Sequence, residues 1–483
     1  MEQVTKGYEP KRVLEIFEQI CSIPHGSGNE EQIGLWLCDF AKGLGLEHLR
    51  DGAGNVLIRK GASAGYESSP AVMLQGHMDM VCEKNGATEH DFLADGLKLH
   101  IKEGRLMAKG TTLGGDDGIA LAYMLAILEG DYPHPALECL ITTGEETSMV
   151  GASAFDYSQI NARRIINIDS EEEGYVTMSC AGGCDLHLDL DTDLLPGKGR
   201  TLKLELTGLA GGHSGTEIDK HRASSIRIMG RILARLYDDT PFNLCCVSGG
   251  NKRNAIPREC TAEIYPLDPS RAIEIIADEE KRIRKELSSF DKKFKIRCKK
   301  GLTDAPMFTY KDSSAVINMM TLPSNGVYSV YQNKEGAVRS SSNMGIITTE
   351  QGRVRLDIMA RSSCESEMDE MILKFKRLAK AIGVSMEIED RHPGWELNPE
   401  SRLADLYVDT YNTLYKKEGR SAQKCAIHAG LECGIIVSAL GQDADAISIG
   451  PDIYDIHTPD EALDINSTER TFRVLLEMLA QLK

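Results

Sequence analysis

Short apolar segments that end in histidine or carboxylate side chains constrain the fold of this chain more than any other feature. Segments 55–59, 71–75, 137–143 and 164–168 have the length and apolar content of buried strands, and an apolar helix is predicted at 118–128. This alternation of strands and helices is typical of an α/β domain whose largely parallel sheet is covered on both faces. Three of the strands run into polar residues at their carboxyl ends, where the loops of parallel sheets build ligand sites. The sequence therefore predicts an α/β domain with a site at one edge of its sheet.

The amino-terminal part of the chain has a helical pattern. Two helices are predicted between residues 11 and 45. Ser27 and Glu30 stand three residues apart before the apolar positions of the second helix, which is the spacing of a capping box. The spacing predicts that Ser27 caps this helix.

The strand pattern changes in the middle of the chain. From residue 186 to 394, alternating strands such as 201–206 are separated by amphipathic helices, which predicts an α+β domain. A helix at 401–415 and an apolar strand pattern at 434–437 then return to the first style. Three consecutive domains would give the same pattern. The simplest organisation is one α/β domain that is interrupted by an inserted domain. We predict one domain formed by residues 1–185 and 395–483, with an inserted domain at 186–394.

Charge and composition exclude several classes of protein. The 483 residues include 55 Lys and Arg against 73 Asp and Glu, a net charge of −18, and no run of five basic residues, which argues against a nucleic-acid partner. No apolar stretch approaches the ~20 residues of a membrane-spanning helix, and the amino terminus lacks the regions of a signal peptide. Thirteen cysteines without a C-x-x-C pair favour reduced thiols, with a redox role for Cys245 and Cys246 or for Cys180 and Cys184 as the weaker alternative. We expect a soluble cytoplasmic protein with no membrane partner.

The polar residues that follow the predicted strands are candidate metal ligands. His77 and Asp79 follow the second strand, Glu145 and Glu146 follow the third, and Asp169 follows the fourth. Imidazole nitrogen and carboxylate oxygen are common zinc ligands, and a carboxylate near a histidine can orient its ring. Each residue alone has a structural alternative, namely a hydrogen-bonded histidine, a solvated carboxylate pair or an aspartate that begins a turn.

Two further candidates lie outside these strand ends. Asp116 and Asp117 follow two glycines before the predicted helix at 118–128, where they fit either a helix amino terminus or a loop that approaches a ligand closely. His457 lies in a loop rich in glycine and proline. Together with the strand-end residues, they supply what two divalent ions sharing one aspartate require. The set indicates metal-assisted hydrolysis, with one of the adjacent glutamates as general base.

Seven motifs in order make the chain resemble the M20 family of metallopeptidases. They are QGHMDMV at 75–81, GTTLGGDDG at 110–118, TGEE at 143–146, NIDSE at 167–171, GGHSG at 211–215, GNKRNAIP at 250–257 and the loop around His457. The resemblance implies a di-zinc exopeptidase-like α/β catalytic domain with a mostly parallel central sheet, interrupted by an inserted α+β lid domain. The family's usual Asp-Asn is Asp116-Asp117 here, which adds a carboxylate beside the bridging position.

The resemblance implies two zinc ions per subunit, which Co²⁺ or Mn²⁺ could replace. The implied ligands are His77 and Asp169 for one ion, Glu146 and His457 for the other, and Asp116 as the bridge. Glu145 is implied as the general base and Asp79 as the residue that orients His77.

The resemblance also implies a substrate. His213 matches the family's lid histidine, which stabilises an oxyanion, and Asn254, Arg361 and Gly430 match its substrate-binding positions. The implied reaction is hydrolysis of unblocked dipeptides, including Xaa-His dipeptides such as β-alanyl-histidine (carnosine), by a homodimer. The alternatives are a tripeptide aminopeptidase, an N-acyl amino acid deacylase, or a catalytically silent metal-binding module.

Overall fold

The computed structural model describes residues 3–287, 289–332, 337–441 and 443–483. The chain divides into two units. Unit 1 comprises Met1–Cys180, Trp395–Ala426 and Leu431–Lys483, and unit 2 comprises Ala181–Gly394 and Ile427–Gly430.

The helices and strands of the described residues follow in chain order. The α-helices are α1 Lys11–Cys21, α2 Glu31–Gly43, α3 Gly115–Glu129, α4 Glu145–Ser148, α5 Val150–Ala154, α6 Ser225–Asp239, α7 Pro269–Glu286, α8 Tyr310–Thr321, α9 Glu365–Ile382, α10 Arg402–Tyr415, α11 Cys433–Leu440 and α12 Ile465–Gln481. Short 3-10 helices are Tyr157–Gln159, Ile218–Lys220, Ser289–Asp291 and Lys416–Glu418. The strands are β1 Glu47–Arg50, β2 Val56–Lys60, β3 Val72–His77, β4 Leu99–Lys102, β5 Arg105–Ala108, β6 Leu137–Thr142, β7 Arg164–Asn167, β8 Tyr175–Cys180, β9 Gly182–Asp191, β10 Leu194–Leu195, β11 Gly199–Thr207, β12 Gly212–His213, β13 Phe242–Gly249, β14 Ala255–Ile256, β15 Cys260–Pro266, β16 Lys295–Thr303, β17 Met307–Phe308, β18 Gly326–Val330, β19 Val338–Glu350, β20 Arg353–Ser362, β21 Ser385–His392, β22 Gln423–Ile427, β23 Asp445–Ser448, β24 Ile453–Tyr454 and β25 Ala462–Asp464.

The sheet of unit 1 is mixed, with the strand order β1-β2-β6-β3-β7-β23-β8-β22. Strands β6, β3, β7 and β23 are parallel to their neighbours within this group, whereas the pairs β1 with β2, β2 with β6, and β23 with β8 are antiparallel. The register aligns His77 with Thr142 and Gln75 with Asn167, so β3, β6 and β7 end at one edge of the sheet. The predicted α/β fold is confirmed, in a mixed sheet in which β6, β3, β7 and β23 pair in parallel.

Burial explains why the central elements of unit 1 are apolar. Every residue of β3 and β6 is buried, as expected of strands covered on both faces. Helix α3 is buried on all sides from Gly118 to Leu128 and contacts α1 and β3. A helix that is apolar around its whole circumference is stable only inside a core.

Unit 2 is built on an antiparallel sheet. Its nine strands follow the order β16-β11-β15-β13-β19-β20-β9-β21, with β18 paired to β19. Helices α6, α7, α8 and α9 cover this sheet and share one apolar core with it. The predicted α+β character of this region is confirmed. Because β9 begins at Gly182, unit 2 starts a few residues before the predicted boundary at 186.

Two local predictions are wrong. The predicted strand at 434–437 lies inside helix α11, because a short apolar run fits a buried helix as well as a buried strand. Ser27 does not cap α2, which begins at Glu31 without a side-chain cap. The Ser27 hydroxyl instead donates to Asp79 Oδ2 at 2.8 Å, a partner distant in sequence.

The structure bears on two predictions, which concern the state of the cysteines and the membrane-spanning helices. The thirteen cysteines, all within the described residues, are thiols rather than disulfides. Every helix that the structure describes is too short or too polar to cross a bilayer.

Gly76 in β3 allows the start of α3 to approach the sheet. A methyl group at this position would lie 2.4 Å from Asp117 Oδ2 and 2.8 Å from the Cβ of Ala120. We expect Gly76→Ala to lower the free energy of unfolding by about 1–3 kcal/mol, because the core cannot accommodate the added methyl. The measurement is the urea midpoint, with Gly61→Ala, whose added methyl meets no atom within 4 Å, as the control. Equal midpoints for Gly76→Ala and the wild type would contradict this account of the packing.

Candidate metal centre

The carboxyl end of β3 delivers His77 to a cluster of carboxylates. His77 Nε2 lies 3.0 Å from Asp116 Oδ1 and 3.5 Å from Asp169 Oδ1, and all three residues belong to unit 1. Burial opposes protonation of His77, but the charge of Asp169 and the hydrogen bond to Asp116 outweigh it and raise the His77 pKa well above its usual value. These atoms are near enough to bind one cation together.

His457 completes a second group around the same aspartate. His457 Nε2 lies 3.2 Å from Asp116 Oδ2 and 2.9 Å from Glu146 Oε1. Hydrogen bonds to Asp116 and then to Glu146 raise the His457 pKa to about 10. The two oxygens of Asp116 therefore face different imidazoles, which is the arrangement that the sequence predicts for a bridging ligand.

The chemistry of this cluster fits divalent cations. In the described part of the chain, the ion pairs of Asp116, Glu146 and Asp169 involve imidazoles and no lysine or arginine. Burial and neighbouring carboxylates raise the pKa of Asp169 to about 6, although His77 opposes the shift. Histidine and carboxylate groups are common zinc ligands. A cation bound there would displace the protons that partly neutralise the negative charge of the carboxylates. The residues of the cluster could thus hold metal ions.

Glu145 lies close to His77 and Glu146. It forms a potential ligand group with His77 and Glu146. Burial, followed by the negative charge of Asp169, raises its pKa well above the usual value of a glutamate, although His77 opposes the shift. A carboxylate that holds a proton this readily is suited to general acid and base chemistry.

Asp79 connects the His77 strand to the glutamate pair. Its Oδ1 accepts from the Glu145 backbone N–H at 3.0 Å, and its Oδ2 accepts from the Glu146 N–H at 3.3 Å. His77 Nδ1 lies 3.0 Å from the Asp79 main-chain oxygen and 3.5 Å from its Oδ1. Burial opposes ionisation of Asp79, but hydrogen bonds from His77 and Ser27 lower its pKa. Asp79 is therefore placed to orient the His77 ring and to fix the backbone that carries Glu145 and Glu146.

Asp117 and Glu461 support the centre from its flanks. Asp117 Oδ2 accepts from the His77 backbone N–H at 3.1 Å. Glu461 is 2% exposed and accepts from the backbone N–H groups of Leu113 and Gly115, both at 2.8 Å, and more weakly from that of Gly114. Glu461 is not among the predicted site residues, and its one signal in the sequence is its position four residues after His457.

The predicted substrate residues all belong to unit 2. His213 and Asn254 line one cavity of about 720 Å³, where His213 pairs with Ala255 across β12 and β14. Arg361 is 7% exposed, and burial lowers its pKa. Gly430 lies in the short segment 427–430 that joins this unit.

His428 is a residue of unit 2 that the sequence analysis misses. Its Nε2 lies 2.7 Å from Ser341 Oγ, and its Nδ1 has no hydrogen-bond partner among the described residues. Burial, followed by the charges of Arg361 and His213, lowers the His428 pKa to about 3. Burial and Arg361 also lower the pKa of His213. Both imidazoles are therefore held in the neutral form.

A protein family and several known proteins are similar to this chain in sequence or structure. The profile of peptidase family M20/M25/M40 matches residues 73–481. The cytosol non-specific dipeptidase of Escherichia coli K12 is 36% identical over 478 residues, which is 98% of each chain. The crystal structure of aminoacylhistidine dipeptidase from Vibrio alginolyticus superposes with a TM-score of 0.91 at 33% identity, covering 99% of this chain and 98% of that one. An aminopeptidase structure from Bacillus cereus, with a TM-score of 0.56 and 17% identity over 98% of this chain and 99% of that one, shares the fold.

Glu461→Gln tests whether Glu461, which is not a predicted ligand, holds the loop before Asp116 in place. The glutamine amide turns one of the two acceptor oxygens into a donor that faces a backbone N–H, so we expect metal affinity to fall about 10-fold or more. Competition with a chromogenic zinc chelator measures the affinity. Asp460→Asn, an exposed neighbour on the same loop, is the matched control and should bind as the wild type does. Equal affinities for Glu461→Gln and the control would contradict this role.

Proposed function

The chain belongs to peptidase family M20/M25/M40, and we propose that within this family it is a zinc-dependent dipeptidase. Its substrates are unblocked dipeptides, including Xaa-His dipeptides such as β-alanyl-histidine. The observation that carries the proposal is the Asp116 carboxylate, whose two oxygens face His77 and His457 at 3.0 and 3.2 Å. The names of the Escherichia coli and Vibrio alginolyticus relatives, each similar over nearly the whole chain, support the substrate class.

Five residues of unit 1 would hold two zinc ions. His77 and Asp169 would bind one ion, Glu146 and His457 the other, and Asp116 both. When bound, such ions lower the pKa of water toward neutrality and polarise a peptide carbonyl. The grouping of the donor atoms around Asp116 supports this assignment of the ligands.

Glu145 is the proposed general base. Its pKa, raised by burial and by Asp169, makes its carboxylate a ready proton acceptor. In the proposed reaction, Glu145 takes a proton from the attacking water and later gives it to the leaving amine. Asp79 holds the backbone N–H groups of Glu145 and Glu146 and thus keeps this base in place.

His213 is the proposed donor to the oxyanion that forms on the substrate. Its Nδ1 accepts from the backbone N–H groups of Gly215 at 3.3 Å and Thr216 at 3.1 Å. Because the ring is neutral and Nδ1 is an acceptor, the proton lies on Nε2, which is then a hydrogen-bond donor. A neutral donor of this kind stabilises developing negative charge.

Asn254, Arg361 and Gly430 are the proposed substrate-binding residues. The guanidinium of Arg361 suits the free carboxylate of a dipeptide, which it can bind through two parallel hydrogen bonds. We further propose that the enzyme is a cytoplasmic homodimer. The reduced thiols and the name of the Escherichia coli relative support the compartment, and light scattering would test the dimer.

Glu145→Gln separates catalysis from metal binding. The amide keeps the shape of the side chain but accepts no proton, so we expect kcat to fall by about 10²- to 10⁴-fold. Metal content should stay near that of the wild type, because Glu145 is not one of the proposed ligands. Glu172→Gln, at an exposed carboxylate of the same unit, is the control and should keep full activity. Activity that survives in Glu145→Gln would refute the proposed base.

A substrate panel tests the proposed specificity. Zinc-loaded protein is assayed on β-alanyl-histidine, several unblocked α-dipeptides, a tripeptide and an N-acetyl amino acid, with metal counted on the same sample. We expect cleavage of the dipeptides and about two zinc ions per chain. Preferential cleavage of the tripeptide or the acylated substrate would move the function to another activity of the family. A metal-loaded protein inert on all substrates would favour a silent module.

A further inference from the structure

A carboxylate outside the proposed ligand set lies fully buried in unit 1. Glu432 is 0% exposed, and its Oε2 accepts from Gln75 Nε2 at 2.5 Å and from Thr142 Oγ1 at 2.6 Å. Its Oε1 has no hydrogen-bond partner among the described residues. Glu138, also buried, has both oxygens satisfied by the backbone N–H of Asn161. Buried acceptors without a partner cost free energy, so the Glu432 carboxylate requires a reason other than packing.

The partners of Glu432 connect it to the strands that carry ligands. Gln75 stands two residues before His77 on β3, and residues two apart on a strand share one face of the sheet. Thr142 is aligned with His77 in the register of β3 and β6. The other end of Gln75 accepts from Asn167 Nδ2 at 2.7 Å. A buried polar network thus crosses the three strands that lead into the metal centre.

Asn167 on β7 stands in the same position relative to Asp169 as Gln75 does relative to His77. It is aligned with Gln75 and stands two residues before Asp169. The two amide side chains therefore form one hydrogen-bonded layer, each two residues before a proposed ligand. A charge placed in this layer acts on the ligands through a low-dielectric interior, where electrostatic interactions are strong.

The His77 imidazole is a cationic group that acts on the negative charge of Glu432. The ion pairs of the described residues include none with Glu432, and burial raises its pKa to about 7, although His77 opposes the shift. The titratable groups that interact with it electrostatically include His77, Glu145, Asp169, Tyr157 and Cys433. Of these groups, the His77 imidazole is the one that can carry positive charge. An ionised Glu432 therefore depends on cations held at the centre.

We propose that Glu432 is a positioning residue whose buried negative charge, acting through Gln75 and Thr142, strengthens the binding of metal ions at the centre. This inference rests on the proposed metal-dependent function. The role differs from that of a ligand, because the side-chain hydrogen bonds that Glu432 accepts in the described part of the chain come from Gln75 and Thr142, neither of which is a proposed ligand.

Glu432→Gln removes the charge and keeps the shape, and Glu138→Gln makes the same change at a buried glutamate on β6 away from the network. Metal-free proteins are titrated with Zn²⁺ against a chromogenic chelator at pH 7. We expect Glu432→Gln to bind zinc about 10- to 100-fold more weakly, as losses of supporting partners do, and Glu138→Gln to bind as the wild type does. The thermal midpoint of metal-free Glu432→Gln should equal or exceed that of the wild type, since a buried unpaired carboxylate is removed.

Proton release provides a readout that a purely structural role would not change. With a pKa of about 7, Glu432 is partly protonated in the metal-free protein at pH 7, and bound cations lower its pKa and expel the remaining proton. Calorimetry in two buffers of different ionisation enthalpy should therefore show fewer protons released per chain by Glu432→Gln than by the wild type. The difference should shrink at pH 9, where Glu432 is already ionised before the metal binds.

Thr142→Val is the second variant, which keeps the side-chain size but removes the hydroxyl that donates to Glu432. We expect weaker zinc binding, in the same direction and smaller in size. Wild-type affinity in both Glu432→Gln and Thr142→Val, or unchanged proton release in Glu432→Gln, would overturn the role of Glu432 alone. A wild-type chain that binds no zinc would instead refute the proposed metal centre.

Discussion

The mutual repulsion of carboxylates around Asp116 is the constraint on which the rest of unit 1 depends. Asp116, Glu146 and Asp169 lie within reach of two imidazoles, and Glu145 lies close beside them. Two imidazoles cannot balance this much negative charge in a buried site, which is why burial and neighbouring charge raise the pKa of Glu145 and Asp169. Divalent cations would remove this repulsion, so the cluster would stabilise the folded state instead of destabilising it.

Hydrogen bonds from backbone N–H groups hold the crowded segments in place. Asp79 accepts from the segment that begins at Glu145, Asp117 accepts from His77, and Glu461 accepts from the glycines before Asp116. Each carboxylate thus fixes a segment other than its own. The segments that carry ligands are therefore interlocked, and a displacement of one of them breaks charge-assisted hydrogen bonds in another. This explains why acidic residues with no proposed role in metal binding are buried beside the ligands.

Sequence reasoning finds the residues that stand at the ends of apolar strands, and the structure brings these together. His77, Glu145 and Asp169 could be predicted because a parallel sheet delivers the ends of neighbouring strands to one edge. Glu432 and Glu461 could not, because their hydrogen-bond partners lie hundreds of residues away in the sequence. Ser27 fits a local capping pattern, but the distant Asp79 is its partner in the fold.

The period of hydrophobic residues does not distinguish a strand from a helix in a short apolar run. The run at 434–437 fits a strand or a buried helix equally well, and the fold places it in α11. Three of its four residues are buried, and so short a run shows no period that separates a helix from a strand. The same ambiguity is absent at 118–128, where the apolar run is long enough that only a helix fits it.

Arg361 helps to fix the charge state of two imidazoles in unit 2. Arg361 is buried, and its positive charge, after burial itself, keeps His213 and His428 neutral. A protonated imidazole beside Arg361 would add like charge in a low-dielectric site, so the guanidinium and the rings cannot all be cationic. The neutral His213 keeps its proton on Nε2 and so adds a donor without adding positive charge to that of Arg361. A guanidinium that acts on neutral rings keeps its charge for an anion, which supports its proposed role in binding the free carboxylate of a substrate.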